Sequence, residues 1–273
     1  MEHGGGASPS NLLDDAVGPL AGRFVAVEDS VETSASFVLH HLIKRSLSPL
    51  SPAAAAVVFL SFAHPFSHYD RILRKLGCNL AAQRDNKRFF FFDMLTWEYP
   101  GEKIRYIGRE DTYLVHLDRD KEKTSGGGLV ALYGEIQKVI SDLPQERKNS
   151  VTIIIDDVSL MEVAAKGSTN LVLDFLHYCH TLTSELGCSL VALNHEDIYS
   201  SSERPTLILQ MEYLAGILIK AEPLATGLAK DVHGQLTVLN RGNDGQGSRY
   251  KICNFHFRVK ENNVEYFYPG SRT

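Results

Sequence analysis

Cysteine is scarce in this 273-residue sequence: Cys78, Cys179, Cys188 and Cys253 lie far apart, with no C-x-x-C pair. That excludes a zinc knuckle or a small disulfide scaffold and suits reduced, packed thiols. Long apolar stretches are also missing. The longest, Pro52-Ala-Ala-Ala-Ala-Val-Val-Phe-Leu-Ser-Phe-Ala63, is far shorter than the roughly 20 residues needed to cross a bilayer, so no membrane partner is expected. Met1-Glu-His-Gly-Gly-Gly-Ala-Ser-Pro-Ser10 has no basic region followed by an apolar one, so no secretory signal is read; cytoplasm and nucleus are the expected locations. Positive charge is not in excess either. With 28 Lys plus Arg against 33 Asp plus Glu, a net charge of -5 excludes holding nucleic acid by bulk charge alone. Any such contact has to be local or shared with a partner.

What is present is the composition of a folded protein, 44% hydrophobic and 22% charged. Residues 1–10, rich in Gly, Ser and Pro, read as a flexible tail, and 11–273 as a single domain. Short strand-like runs occur at Arg23–Glu28, Ala55–Phe62, Lys87–Leu95, Thr112–Leu117, Val151–Asp156 and Ser189–Asn194. Several are apolar at nearly every position, as parallel strands covered on both faces should be. Helical periods lie between them: Phe37, Val38, Leu42 and Ile43; Tyr69, Ile72, Leu73 and Leu76; and Leu129 through Ile140. The longest predicted helix runs from about Ser168 to Leu186, with Ser168 or Thr169 as its cap. Strand and helix in alternation mean α/β with a mainly parallel sheet. In the last third the pattern changes to strand-like runs at Tyr213–Ala221, Gly234–Asn240, Ser248–Val259 and Asn263–Tyr268, with a hairpin turn at Glu261-Asn262-Asn263. A parallel core extended by antiparallel strands at its C-terminal edge is one layout of the RecA-type, P-loop NTPase-like fold.

In that fold the first strand feeds a loop G-x-x-x-x-G-K-[ST], whose backbone N–H groups cradle phosphate while its lysine neutralises charge. Here Glu28-Asp-Ser-Val-Glu-Thr-Ser-Ala35 stands in its place. Glu28 and Thr33 replace the glycines, Ser34 the lysine and Ala35 the magnesium-binding hydroxyl, and the acids Glu28, Asp29 and Glu32 would repel a triphosphate. No bound cofactor and no catalytic residue are expected. Ile153-Ile-Ile-Asp-Asp157 resembles a Walker B strand, but with the first-loop ligand missing, Asp156 and Asp157 read as structural carboxylates that bond backbone N–H groups or cap the next turn.

Other constellations read as structural. Asn194-His-Glu-Asp197 reads as a solvated loop, because consecutive side chains diverge. His40 and His41 point about 100° apart on a helix, and His177 with His180 has no third partner, so no metal site is expected. Phe89-Phe-Phe-Phe92 reads as a buried strand. The loops after the Asp156 strand and after the next strand, where RecA-like rings meet nucleic acid, carry Lys166 and Arg204. Two cations are few for one chain, and a ring would multiply them.

The chain resembles the Elongator complex protein six family. The resemblance rests on the degenerate loop after Arg23–Glu28, on His68-Tyr-Asp-Arg-Ile-Leu-Arg-Lys-Leu-Gly-Cys-Asn-Leu80 with Phe92-Asp-Met-Leu95, on Val151–Val158 and on Leu190-Val-Ala-Leu-Asn-His195. It implies a RecA-like subunit without ATPase motifs, joined with the fourth and fifth Elongator subunits in a hexameric ring. That ring would bind tRNA and dock on the catalytic Elongator subcomplex that modifies wobble uridine. The other readings of the same residues are a nucleotide-binding RecA-like ATPase drawing a lysine from elsewhere, and a recombinase-type adaptor for single-stranded DNA.

Overall fold

The computed structural model describes residues 11–48, 55–97, 103–107, 112–116, 127–199, 206–227, 229, 231–242 and 250–270. The strands are β1 (Phe24–Asp29), β2 (Ala56–Ser61), β3 (Phe89–Asp93), β4 (Lys103–Ile107), β5 (Thr112–His116), β6 (Val151–Ile155), β7 (Ser189–His195), β8 (Ile217–Glu222), β9 (Gly234–Arg241), β10 (Tyr250–Val259) and β11 (Val264–Phe267). The helices are α1 (Leu12–Val17), α2 (Ser36–Leu47), α3 (Phe66–Lys75), α4 (Leu80–Asp85), α5 (Gly127–Ser141), α6 (Gln145–Lys148), α7 (Val158–Ala164), α8 (Thr169–Leu186) and α9 (Thr206–Leu214).

All eleven described strands join one sheet in the order β11-β10-β9-β8-β1-β7-β6-β2-β3-β4-β5. The middle six, β8 through β3, are parallel. Residues along each central strand alternate between two cores. Phe24, Ala26, Val58, Leu60, Ile153 and Leu190 pack under α5, α8 and α9 on one face. Val25, Val27, Val57, Phe59, Ile154 and Val191 pack under α1, α2 and α3 on the other. This is why the strands read as unbroken apolar runs: both faces are dry, so the alternation carries no polar signal.

The parallel sheet with helices on both faces and antiparallel strands at the C-terminal edge is as the sequence predicts, and β10 and β11 turn at the predicted hairpin, closed by Lys260 N–H to the Asn263 carbonyl at 2.8 Å. Three elements differ from expectation. The run read as a strand from Tyr213 begins inside α9; β8 starts only at Ile217, after Gly216. The opposite edge is antiparallel too, because β4 reverses against β3 and β5 against β4. Lys103-Ile-Arg-Tyr-Ile107 has the charged/apolar alternation of such an edge strand, which the search for continuous apolar runs passes over. Ser168 does stand at the N-cap of α8, but its side chain makes no capping bond there.

Phe257 lies over the start of β9, opposite Gly234 and against the ring of Phe37 at 4.6 Å. A Cβ on Gly234 would come within 2.8 Å of the Glu222 carbonyl oxygen and 2.9 Å of the Phe257 ring. Gly234→Ala is therefore expected to cost about 1–3 kcal/mol by overpacking, seen as a lower urea midpoint at unchanged slope.

Candidate functional site

In a parallel sheet, side chains from different strands meet at the strands' C-terminal ends. Here β1, β7 and β6 are adjacent, and they end at Asp29, His195 and the Asp156-Asp157 pair. Asp29 and His195 are register partners, and the imidazole Nδ1 hydrogen-bonds Asp29 Oδ1. Its Nε2 meets Asp157 Oδ2 at 3.1 Å. Asp29 and Asp157 are almost fully buried, at 2% and 3% exposure. The hydrogen bonds to Asp157 first and Asp29 second, working against burial, push the His195 pKa up to about 10. His195 is thus an imidazolium at neutral pH, donating both N–H groups to carboxylates. Burial drives the Asp157 carboxyl up, but hydrogen bonds from His195, Ser159 and the Leu160 N–H outweigh it and hold the pKa low. A histidine held protonated this firmly is a poor general base at neutral pH; the arrangement joins three strand ends.

The solvated-loop reading of Asn194–Asp197 is corrected by this geometry. β7 runs one residue further than expected, Asn194 is fully buried, and His195 is clamped between β1 and β6. The four consecutive side chains do diverge; what converges on His195 comes from neighbouring strands. Asp197 has its own task, accepting the Val31 N–H at 2.8 Å.

The loop after β1 is a tight turn closed by a bridge between Ser30 and Thr33, followed at once by α2. Asp29 Oδ2 accepts the Ala35 N–H at 2.7 Å, at the helix N-terminus where a phosphate would bind. Ser34 lies exposed, its Oγ 2.8 Å from Ser36 Oγ. Glu28 is buried, and its Oε2 pairs with Lys220 Nζ of β8 at 2.7 Å; Lys220 also meets Glu212 at 2.7 Å. Two of the three loop acids are thus neutralised by Lys220 and His195, so the expected repulsion of a triphosphate is replaced by a different cause: the chain's own carboxylate sits on the anion-binding N–H. Lys220 was not visible as a partner in the sequence, since only the β1–β8 register brings it to Glu28.

Asp156 is enclosed. It accepts the Phe62 N–H at 2.7 Å, the Ala63 N–H at 3.1 Å, the Ser61 hydroxyl at 2.7 Å and the Tyr69 hydroxyl at 2.6 Å. Burial raises its pKa, and these four donors oppose the rise. Asp157 is the N-cap of α7, accepting the Leu160 N–H at 2.8 Å. Lys166 is exposed at the end of α7, in a left-handed turn at φ +56° beside Gly167. Arg204 lies outside the described residues. His41 pairs with Asp14 at 2.9 Å, and His40 is buried, its pKa driven down to about 4 chiefly by desolvation. No group of three or more His, Cys, Asp or Glu among the described residues is placed to hold a metal ion.

The sheet order and the carboxylate-filled loop define a RecA-like domain without a phosphate-loop lysine. A KaiC-like protein from Pyrococcus horikoshii shares this fold, with a TM-score of 0.62 over 94% of this chain and 96% of that one at 12% identity. The chain belongs to the Elongator complex protein 6 family: the family model described as Elongation complex protein 6 matches residues 10–261. It is similar to Elongator complex protein 6 of Mus musculus, 28% identical over 88% of each chain, and to that of Xenopus laevis, 29% identical over 91% of each.

The His195 clamp makes stability pH-dependent. Its folded pKa of about 10 lies above the ordinary value of 6.5, so its contribution is complete below about pH 6.5 and is lost as pH rises through 10. Asp157, held low, loses its contribution only in acid. The thermal midpoint is expected to fall between pH 7 and 10, and His195→Gln to flatten that fall. His195→Ala, which strands two buried carboxylates, is expected to cost about 3–5 kcal/mol in urea unfolding at pH 7.

Proposed function

We propose that this chain is a non-catalytic RecA-like subunit of the Elongator accessory assembly. It joins the fourth and fifth subunits in a hexameric ring that binds tRNA and supports wobble-uridine modification by the catalytic subcomplex. The observation that carries the reading is the family match over nearly the whole chain, on a fold whose phosphate seat holds Asp29. Asp29, Asp156, Asp157 and His195 then serve as a structural brace. The chain's part in tRNA handling is to present the loops carrying Lys166 and Arg204 beside loops of its neighbours, which supply most of the positive field. Work in cytoplasm and nucleus belongs to the same proposal.

A nucleotide-binding ATPase is the second reading, with Lys220 as the lysine supplied from another strand. Its ammonium lies between Glu28 and Glu212, and these two carboxylates already neutralise it, which disfavours that reading.

Native mass spectrometry of the chain alone and co-expressed with the fourth and fifth subunits tests the proposal. A species near the mass of six subunits, with tRNA affinity the lone chain lacks, is the expected result. A lone chain that stays apart and binds Mg-ATP in a calorimetric titration overturns it. Within the assembled ring, Lys166→Ala is expected to weaken tRNA binding and to reduce the slope of log affinity against log salt by about 1 per copy, measured by filter binding.

A further inference from the structure

Strand β10 has ten residues, but β11 covers only its last four, His256 to Val259. The His233 N–H bonds the Phe257 carbonyl from the β9 side at 2.8 Å. In an antiparallel strand the N–H and C=O of one residue share a side and alternate along the chain. Odd-numbered residues of β10 therefore face β9, and the backbone groups of Tyr250, Ile252 and Asn254 face away from it. No described strand pairs with them. Beyond β11 the described chain turns at Pro269 and Gly270, the latter at φ +82°.

Two of the three side chains on this edge are apolar and exposed, Tyr250 at 60% and Ile252 at 62%, and the third, Asn254, is exposed and polar. Tyr213, 78% exposed, is close by, since Arg241, the register partner of Tyr250, bonds the Tyr213 carbonyl at 3.2 Å. An unpaired edge with exposed apolar side chains is a template for strand addition. Two cations lie along it: Arg241 bonds the carbonyls of Tyr213 and Ala215, and Lys251 bonds the carbonyl of Asp15. Neither has a carboxylate partner among the described residues.

We infer that the Tyr250–Asn254 edge of β10 accepts an extended segment of a partner protein, alternating apolar and acidic residues, as an added strand. A second copy of this chain fits poorly, because it would set Arg241 and Lys251 against their own like charges. Residues 1–10 fit poorly as well, with three consecutive glycines and a single acid. The edge lies at the end of the sheet where β1 and β8 begin, opposite the His195 clamp, and the inference does not depend on the ring.

The test places p-benzoylphenylalanine at position 254 (Asn254→p-benzoylphenylalanine) in the full chain, irradiates cells and maps the adduct by mass spectrometry. The expected adduct is a segment of another protein with alternating apolar and acidic residues. Adding Ile252→Pro, which deletes an outward N–H but no bond to β9, is expected to lower its yield at least tenfold. Should the proline variant fail to fold, Ile252→Thr decides: at an unchanged urea midpoint it is expected to lower the yield at least threefold. An adduct only to a second copy, to residues 1–10, or to a basic or helical segment overturns the inference. So does the absence of an adduct, or a yield that these variants leave unchanged in a folded chain. Ring assembly is read separately by native mass, so either reading can fail without the other.

Discussion

Three adjacent parallel strands end on one imidazolium, and the arrangement of this whole end of the molecule follows from it. His195 carries a positive charge because two buried carboxylates hold it from opposite sides. Each of those carboxylates has a second task. Asp29 also accepts the N–H of Ala35, the N-cap residue of α2, and Asp157 also caps α7. One proton therefore couples the register of β1, β7 and β6 to the placement of the helices that follow β1 and β6. Removing the cation would leave two buried charges with no counter-ion, which is why the pair is costly to break although its formation need not be very stabilising.

The same end of a nucleotide-binding RecA-like domain presents free N–H groups and a lysine to phosphate. Here the equivalent donors are directed inward. Asp29 takes the helix N-terminus, Asp156 is held by four donors from the β2–α3 segment, and Lys220, which β8 brings to Glu28, is shared by two glutamates. The polar groups are not lost but internally paired, and a surface that elsewhere serves chemistry serves cohesion. The chain belongs to the family of an Elongator subunit, and the structural role proposed for it suits this internal pairing.

The two sheet edges are treated differently. At one, β4 and β5 extend the sheet as an antiparallel pair, with charged residues alternating along β4. At the other, β11 pairs with only the last four residues of β10, and among the described residues no strand pairs with Tyr250 to Asn254 on that side and no carboxylate pairs with the nearby Arg241 and Lys251. An edge in that state is a template for strand addition, and it marks the place where another polypeptide is proposed to dock.

The alternation of apolar runs with helical periods, the missing lysine and glycines after the first strand, and the hairpin at Glu261–Asn263 were all legible in the sequence, because each depends on neighbours within a few residues. The edge strand Lys103–Ile107 was legible in principle through its alternation, while the end of α9 inside an apolar run was not, since short buried helices and strands have the same composition there. The sequence alone therefore determined the α/β class and the absence of a phosphate-binding loop. The fate of the acids was decided only by tertiary structure. Asp29, Asp157 and His195 are separated by 38 to 166 residues, and nothing local shows that β7 lies between β1 and β6. Sheet order and register bring them together. A histidine read as solvated became the half-buried cation that three strands share, because its counter-charges come from strands far away in the sequence.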